Sequence, residues 1–298
     1  MLKIAIVGVG YWGKNLVRVF SEMSDVVSCV HNGNNENESW IKETYPEVNI
    51  TTNYSKVVSN AEIDAIVIAT PIGTHYELVH KALLHNKHVF VEKPLAESAK
   101  NAKFLSSLAI EKNRVLFTGY IFAYHPLLQP LFERSKSSSI IWCEFKWNKS
   151  GDLTENIFLD VISHPVAVSL ALFNEDPMST SVNYSRSVSG STDIISLDIE
   201  FGGGVFSINV NRLTPLSGKS LQILFEDGQL FYWNEQGLYR FDREEKEYIK
   251  RVGSEIEPLQ VECERFISAI NEGGEDIRTD GEFSYRVNDL IEQIEKSI

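Results

Sequence analysis

The sequence predicts a doubly wound α/β unit with a parallel sheet, followed by an α+β unit built on a large, mostly antiparallel open sheet. Three observations carry this expectation. Over residues 1–120, short β-branched runs alternate with amphipathic helical patterns. A glycine-rich turn joins the first run to the first helix. Residues 178–250 read almost entirely as strand, punctuated by hairpin signals. At 298 residues the chain is about twice the length of one typical domain. The boundary is placed at residue 120, giving units 1–120 and 121–298, with the C-terminal helices free to pack back on the first unit.

Lys3-Ile4-Ala5-Ile6-Val7 has no polar alternation, as expected of a strand buried on both faces. Trp12, Leu16, Val19, Phe20 and Met23 then recur at helical steps and form one apolar stripe over residues 11–23. Residues 26–30, 64–70, 88–91 and 115–120 read as further buried strands, with helices at 74–86 and 98–112 between them. In the second unit a helical segment containing Pro126 and Pro130 precedes a strand at 140–147 and a helix at 155–173. Strands 193–201 and 204–212 meet at Gly202-Gly203-Gly204, and strands 220–226 and 229–234 meet at Asp227-Gly228, which suggests a meander with helices on one face. Helices at 257–272 and 281–296 close the chain, separated by Gly273-Gly274.

Composition narrows the function classes. Lys and Arg total 28 against 41 Asp and Glu, a formal charge of -13 that opposes binding to a nucleic-acid backbone or an anionic membrane. No apolar run approaches the roughly 18 residues of a spanning helix. Cys29, Cys143 and Cys263 are far apart and odd in number, which argues against a disulfide framework or zinc ribbon and suggests a reducing, cytoplasmic compartment.

Gly8-Val9-Gly10-Tyr11-Trp12-Gly13 lies between the first strand and first helix, where a dinucleotide pyrophosphate meets close backbone and a helix N-terminus. Tyr11 and Trp12 read as packing rather than stacking groups. An acidic residue expected about 20 residues on is replaced by Val30-His31-Asn32-Gly33, with Asn32 at the ribose position. Lys42 is the nearest base for a 2'-phosphate, so NAD and NADP both stay open. Ala69-Thr70-Pro71 and Glu92-Lys93-Pro94 follow two strands at the carboxyl edge, which places Lys93 beside the expected nicotinamide pocket. Asp160 and His164 stand four residues apart on one predicted helix, where a carboxylate can orient an imidazole base. His125-Pro126 reads as a helix start that borders the substrate or is structural. His80, His85 and His88 read as solvated. Trp142 and Trp147 would face a partner or the core. No metal site is expected: one built from Asp160, His164 and His125 is disfavoured because Lys93 can polarise a hydroxyl by itself.

Together the glycine turn, Ala69-Thr70-Pro71 with His75, Glu92-Lys93-Pro94, and Asp160 with His164 resemble the Gfo/Idh/MocA oxidoreductases across the chain. The resemblance implies a Rossmann domain followed by a substrate domain whose open sheet often forms a homodimer or homotetramer interface. It implies a cofactor site including Gly8, Gly10, Tyr11, Trp12, Gly13, Asn32, Thr70, Pro71, His75, Glu92, Lys93 and Pro94, with a candidate cis bond before Pro94. Lys93 would bind the reacting hydroxyl, His164 would be the acid/base, and Asp160 would position substrate or His164; Tyr120, Tyr124 and His125 would join them at the substrate. Residues 10–18 look like members acting on nucleotide-linked amino sugars of surface polysaccharides. Tyr120 stands where relatives often have His, and Asn174 where they have Gly. Sugar dehydrogenation is thus the leading expectation. Its rivals are ketosugar reduction, inositol or free-sugar dehydrogenation, imine or tetrapyrrole reduction, and a non-catalytic dinucleotide or sugar sensor.

Overall fold

Strands β1 (Lys3–Val7), β2 (Asp25–Val30), β3 (Asn49–Thr51), β4 (Ala65–Ile68), β5 (His88–Glu92) and β6 (Leu116–Gly119) form one sheet in the order β3-β2-β1-β4-β5-β6, every pairing parallel. The computed structural model describes residues 1–149, 153, 155–252, 256–273 and 278–298. It divides into two units: Met1–Tyr120 with Leu259–Asn288, and Ile121–Pro258 with Asp289–Ile298.

In the first unit β1 and β4 are almost wholly buried because helices cover both sheet faces, which explains their unbroken apolar runs. The strand order reverses between β1 and β4, the crevice position at which doubly wound sheets take ligands. The strand expected over 64–70 stops at Ile68, leaving Ala69-Thr70-Pro71 as loop. The short β3 and the helix Tyr54–Val58 lie in a stretch where the sequence predicts no element. Such short pieces carry too few residues for a clear period. The helix Ala99–Lys112 begins where the Ser98 hydroxyl accepts the Asn101 N–H and ends at Asn113, whose φ of 51° is left-handed.

The later segment completes this unit. Phe266, on the helix Pro258–Asn271, packs edge-on against Phe20, Phe90 and Phe117 with centroids 6.1, 5.6 and 5.8 Å away. The Thr118 N–H of β6 donates to the Thr279 carbonyl (2.9 Å), and the Thr279 hydroxyl donates to the Thr118 carbonyl (2.8 Å). Ser284 donates to the Thr118 hydroxyl, and the Asn288 amide donates to the Ala96 carbonyl. Of the expected Gly273-Gly274 break, Gly273 has φ +83°, whereas Gly274 lies outside the described residues.

The second unit holds β7 (Ile140–Asn148), β8 (Ser179–Ser187), β9 (Thr192–Glu200), β10 (Val205–Asn211), β11 (Gly218–Phe225), β12 (Leu230–Asn234), β13 (Gly237–Asp242) and β14 (Glu247–Val252). Their order is β14-β13-β12-β11-β7-β10-β9-β8. The sheet is antiparallel except where β7 runs parallel to β10. The expected meander is therefore interrupted by β7 between β10 and β11. Turn signals report neighbours along the chain, whereas β7 is recruited by its buried Cys143, Phe145 and Trp147, flanked by Phe206, Ile208 and Val210 on one side and Leu221, Ile223 and Phe225 on the other.

The helix expected over 155–173 is two pieces, a π-helical turn at Phe158–Ile162 followed by the α-helix Ser163–Phe173. That helix is buried at almost every position, as its all-round apolar composition requires. It ends at Asn174 with φ 52°, a left-handed cap that asparagine tolerates where glycine is commoner. The helical segment with two prolines resolves into a short 3₁₀ turn, Ile121–Tyr124, and the helix Gln129–Ser135 with Pro130 in its first turn.

Candidate active site

In the first unit the glycine turn is constrained from two directions. Gly8 has φ +93°, and a Cβ there would lie 2.4 Å from the Ala69 carbonyl oxygen; one on Gly13 would lie 1.9 Å from the Gly8 oxygen. Those two glycines are demanded by the turn itself. Gly10 differs, since a Cβ there meets nothing within 4 Å. Gly10 is also the N-cap of the helix Tyr11–Met23 and has no side chain to bond the first-turn N–H groups. An open space against an uncapped helix N-terminus fits a pyrophosphate, so the residues present suit a dinucleotide.

Tyr11 is 87 % exposed, so it is not the packing residue expected. Trp12 is half-buried, and its indole N–H donates to Glu92 Oε1. Burial pushes the Glu92 carboxyl up to about 7, against the opposing pull of the Trp12 bond and of Lys93. Glu92 and Lys93 thus stand at the strand end where the sequence places them, and the Lys93–Pro94 bond is cis.

His75 is fully buried, with Nδ1 2.8 Å from the Pro94 carbonyl and Nε2 2.8 Å from the Thr70 carbonyl. It ties the two sheet-edge motifs to each other. Burial lowers its pKa, and the two carbonyl acceptors oppose that. The Thr70 hydroxyl accepts a bond from Thr74 (2.7 Å), and Pro71 caps the short turn Ile72–Thr74. Asn32 is exposed, its side-chain oxygen accepting the Asn34 N–H at 3.3 Å. Tyr120 is fully buried edge-on to Phe283, with no hydrogen-bond partner for its hydroxyl among the described residues.

His80 stacks on Tyr76 rather than standing in solvent, and His85 is exposed as expected. His88 departs from the solvated reading. It is half-buried, its Nδ1 accepts the Val115 N–H, and burial, with Arg114 second, lowers its pKa to about 4.

In the second unit the π-helical turn and the start of the following helix carry Asp160 and His164. The His164 imidazole lies edge-on to Phe122 (5.2 Å) and tilted to Trp147 (5.3 Å). Asp160 pairs with the Lys149 ammonium. His125 is half-buried between Phe122 and Trp233; the Leu127 N–H donates to its Nδ1, and burial, then Lys219, pushes its pKa down to about 4. That hydrogen bond leaves a neutral ring with its proton on Nε2. Tyr124 is buried nearby in sequence, in the turn Ile121–Tyr124. Trp147 belongs to the core, and the half-buried Trp142 occupies the other side of the alternation in β7.

Three side chains lie outside the sequence expectations. Lys149 has no motif around it. Lys219 sits at an inward position in the alternation Lys219, Leu221, Ile223, Phe225, and Glu262 interrupts the apolar spacing Leu259, Cys263, Phe266; both signals are present in the sequence. Among the described residues no cluster of His, Cys, Asp and Glu could hold a metal ion.

Comparison with known proteins bears on this geometry. Over 121 residues the chain is 31 % identical to an uncharacterized oxidoreductase of Streptococcus pneumoniae, a match covering 41 % of this chain but only 32 % of that protein. It is 22 % identical to UDP-N-acetylglucosamine 3-dehydrogenase of Acidithiobacillus ferrooxidans over 76 % of this chain and 72 % of the relative. The solved structure of that Acidithiobacillus enzyme superposes with a TM-score of 0.90 at 19 % identity, covering 100 % of this chain and 97 % of the other. GenD2 from gentamicin A biosynthesis, solved in complex with NAD, gives a TM-score of 0.85 at 18 % identity, with 99 % and 93 % covered. These two superpositions establish the fold. Residues 2–120, about two fifths of the chain, match the model of the Gfo/Idh/MocA oxidoreductase family with an NAD-binding Rossmann fold.

Proposed function

We propose that the protein is an NAD(P)-dependent oxidoreductase that moves hydride between nicotinamide and a secondary carbinol carbon of a sugar, the sugar being a nucleotide-linked amino sugar of surface-polysaccharide synthesis. The observation that carries the reading is the uncapped helix N-terminus at Gly10, open to a pyrophosphate, with Lys93 just past the end of β5 in the same parallel sheet. The Acidithiobacillus relative's name supplies the substrate class. The cofactor, when bound, accepts or supplies the hydride. In the oxidising direction Lys93 binds the reacting hydroxyl and His164 takes its proton, while the alcohol carbon becomes a carbonyl. Asp160, held by Lys149, orients substrate or His164. Glu92 lies beneath the nicotinamide region, and Tyr120, Tyr124 and His125 border the substrate. NAD is the first expectation, from the family description; Asn32, which carries no charge to repel a 2'-phosphate, keeps NADP in the test.

The same reading assigns cofactor binding to residues 1–120 and substrate binding to 121–298, with association into a homodimer or homotetramer through the open sheet. A reducing cytoplasmic location fits the three cysteines, all buried. No helix among the described residues is long and apolar enough to cross a membrane.

The test is titration of the purified protein with NAD(H) and NADP(H), then with UDP- and dTDP-linked sugars, following reduced-nicotinamide absorbance. Turnover of one sugar nucleotide, lost by about 10²-fold or more in Lys93→Ala and His164→Ala with dinucleotide binding intact, is expected. Dinucleotide binding without turnover of any sugar, or full activity in both variants, overturns the reading.

A further inference from the structure

Strand β11 alternates cleanly, with Leu221, Ile223 and Phe225 turned to the buried face of the sheet. Lys219 occupies the next position on that face and pairs across the sheet with Trp147. Its ammonium lies 4.8 Å from the Trp147 ring and 5.4 Å from the Phe122 ring. These two rings also flank the His164 imidazole, so the Lys219 cation and the candidate acid/base contact the same pair of aromatics.

Lys219 pairs with Glu235 at 3.2 Å, and the two side chains differ sharply in exposure, 26 % against 62 %. A pair with one carboxylate mostly in water is weak and readily exchanged for a stronger anion. The lysine has already lost much of its hydration and rotamer freedom to the two rings, so a ligand that binds there need not order it. His125 feels the same charge, which contributes to its depressed pKa. The inward neighbours of Lys219 on β11, Leu221, Ile223 and Phe225, are apolar, so an ammonium at this position departs from the pattern of its own strand.

We propose that Lys219 determines substrate specificity by receiving a phosphoryl oxygen of the group attached to the sugar, displacing Glu235 and setting the sugar beside His164. The proposal deepens the sugar-nucleotide reading above and rests on it for the identity of that group. A uronate carboxylate offers related anionic oxygens, and the experiment separates the two.

Wild type, Lys219→Met and Lys219→Arg are titrated calorimetrically at low salt with UDP, with inorganic phosphate and with free glucuronate, and NAD affinity and thermal unfolding are measured alongside. Methionine keeps most of the stem volume and removes the charge. UDP binding is expected to weaken by about tenfold or more in Lys219→Met, to be partly restored in Lys219→Arg, and to lose part of its salt dependence, while NAD affinity and the unfolding temperature stay put. Unchanged UDP binding in Lys219→Met overturns the proposal. So does a variant that loses UDP, NAD and thermal stability together, which marks a purely structural lysine. Lys219-dependent binding of glucuronate but not of UDP overturns the phosphoryl assignment. Lys219-dependent UDP binding in a protein that oxidises no sugar leaves this proposal standing and removes the catalytic reading. A working UDP-sugar dehydrogenase whose KM ignores Lys219→Met does the reverse.

Discussion

Replacing Glu262 with methionine should stabilise the protein, and more so at higher pH. Glu262 is fully buried in the helix Pro258–Asn271, and neither carboxyl oxygen has a hydrogen-bond partner among the described residues. Burial drives its pKa well up, and the Glu92 carboxyl adds to the shift. A buried polar group without partners costs about 1–3 kcal/mol, and methionine fills similar space without that cost. For a unit of this size the gain corresponds to a rise of about 2–12 °C in unfolding temperature near neutral pH. The pH dependence follows from the proton balance. Below the ordinary carboxyl value of 4.5 the group is protonated whether the chain is folded or not, and the charge adds no penalty. Above it the unfolded chain releases the proton while the folded one retains it, so wild type loses stability as pH climbs. The Glu262→Met variant lacks that slope, and the gap should widen from pH 5 to pH 8 in thermal unfolding followed by circular dichroism. A lower unfolding temperature at every pH, or a gap that does not grow with pH, would refute the argument and mark Glu262 as a group that the folded protein needs.

Other outcomes follow from the geometry. Gly10→Ala should leave the unfolding temperature nearly unchanged while weakening dinucleotide binding in calorimetry, because its Cβ points into open space; Gly13→Ala, 1.9 Å from a backbone oxygen, should disrupt the turn and lower stability as well. Arg212 and Asp193 form a buried pair at 3.3 Å with side-chain exposures of 1 % and 0 %; Arg212→Met removes the cation from a carboxylate that keeps its bonds from Val188 and Ser189, and removes the donor from the Glu155 and Thr192 carbonyls, so it should cost about 1–3 kcal/mol in denaturant unfolding. Trp12→Phe removes the indole bond that holds the Glu92 pKa down, so the Glu92 carboxyl, followed by infrared absorption, should titrate above its value of about 7. A titration that stays put or falls counts against the Trp12–Glu92 contact.

The first unit is legible in the sequence because its elements are local and strongly periodic. The run Lys3–Val7, the glycine turn and the stripe Leu16, Val19, Phe20 are complete within a few residues of one another, and the structure reproduces them with small shifts in their ends. The β7 insertion is not legible, since nothing in Ile140–Asn148 names β10 and β11 as its neighbours. Lys149 escapes for a related reason, since it gains its partner across a loop where sequence spacing carries no information, whereas Lys219 shows in the sequence only as a break in the apolar alternation of β11. Tyr11 misleads because an aromatic beside a glycine turn resembles a packing residue until its exposure is known. His88 misleads because a histidine next to a helix end looks solvated, whereas a backbone amide 27 positions away uses its ring nitrogen.

The hydrogen bonds that tie Thr118 to Thr279 and Ser284 also impose an order on synthesis. Strand β6 ends the parallel sheet, and residues 279–280 lie along its outer side, Asp280 bridging to Phe117. The partners are separated by 161 and 166 positions, a stretch that takes about 10–30 s to translate. During that interval residues 121–258 of the second unit are made, while the earlier sheet waits with one flank unpaired. An unpaired flank invites pairing with another nascent chain, so release from the ribosome near residue 270 should yield aggregates where the finished chain stays dispersed.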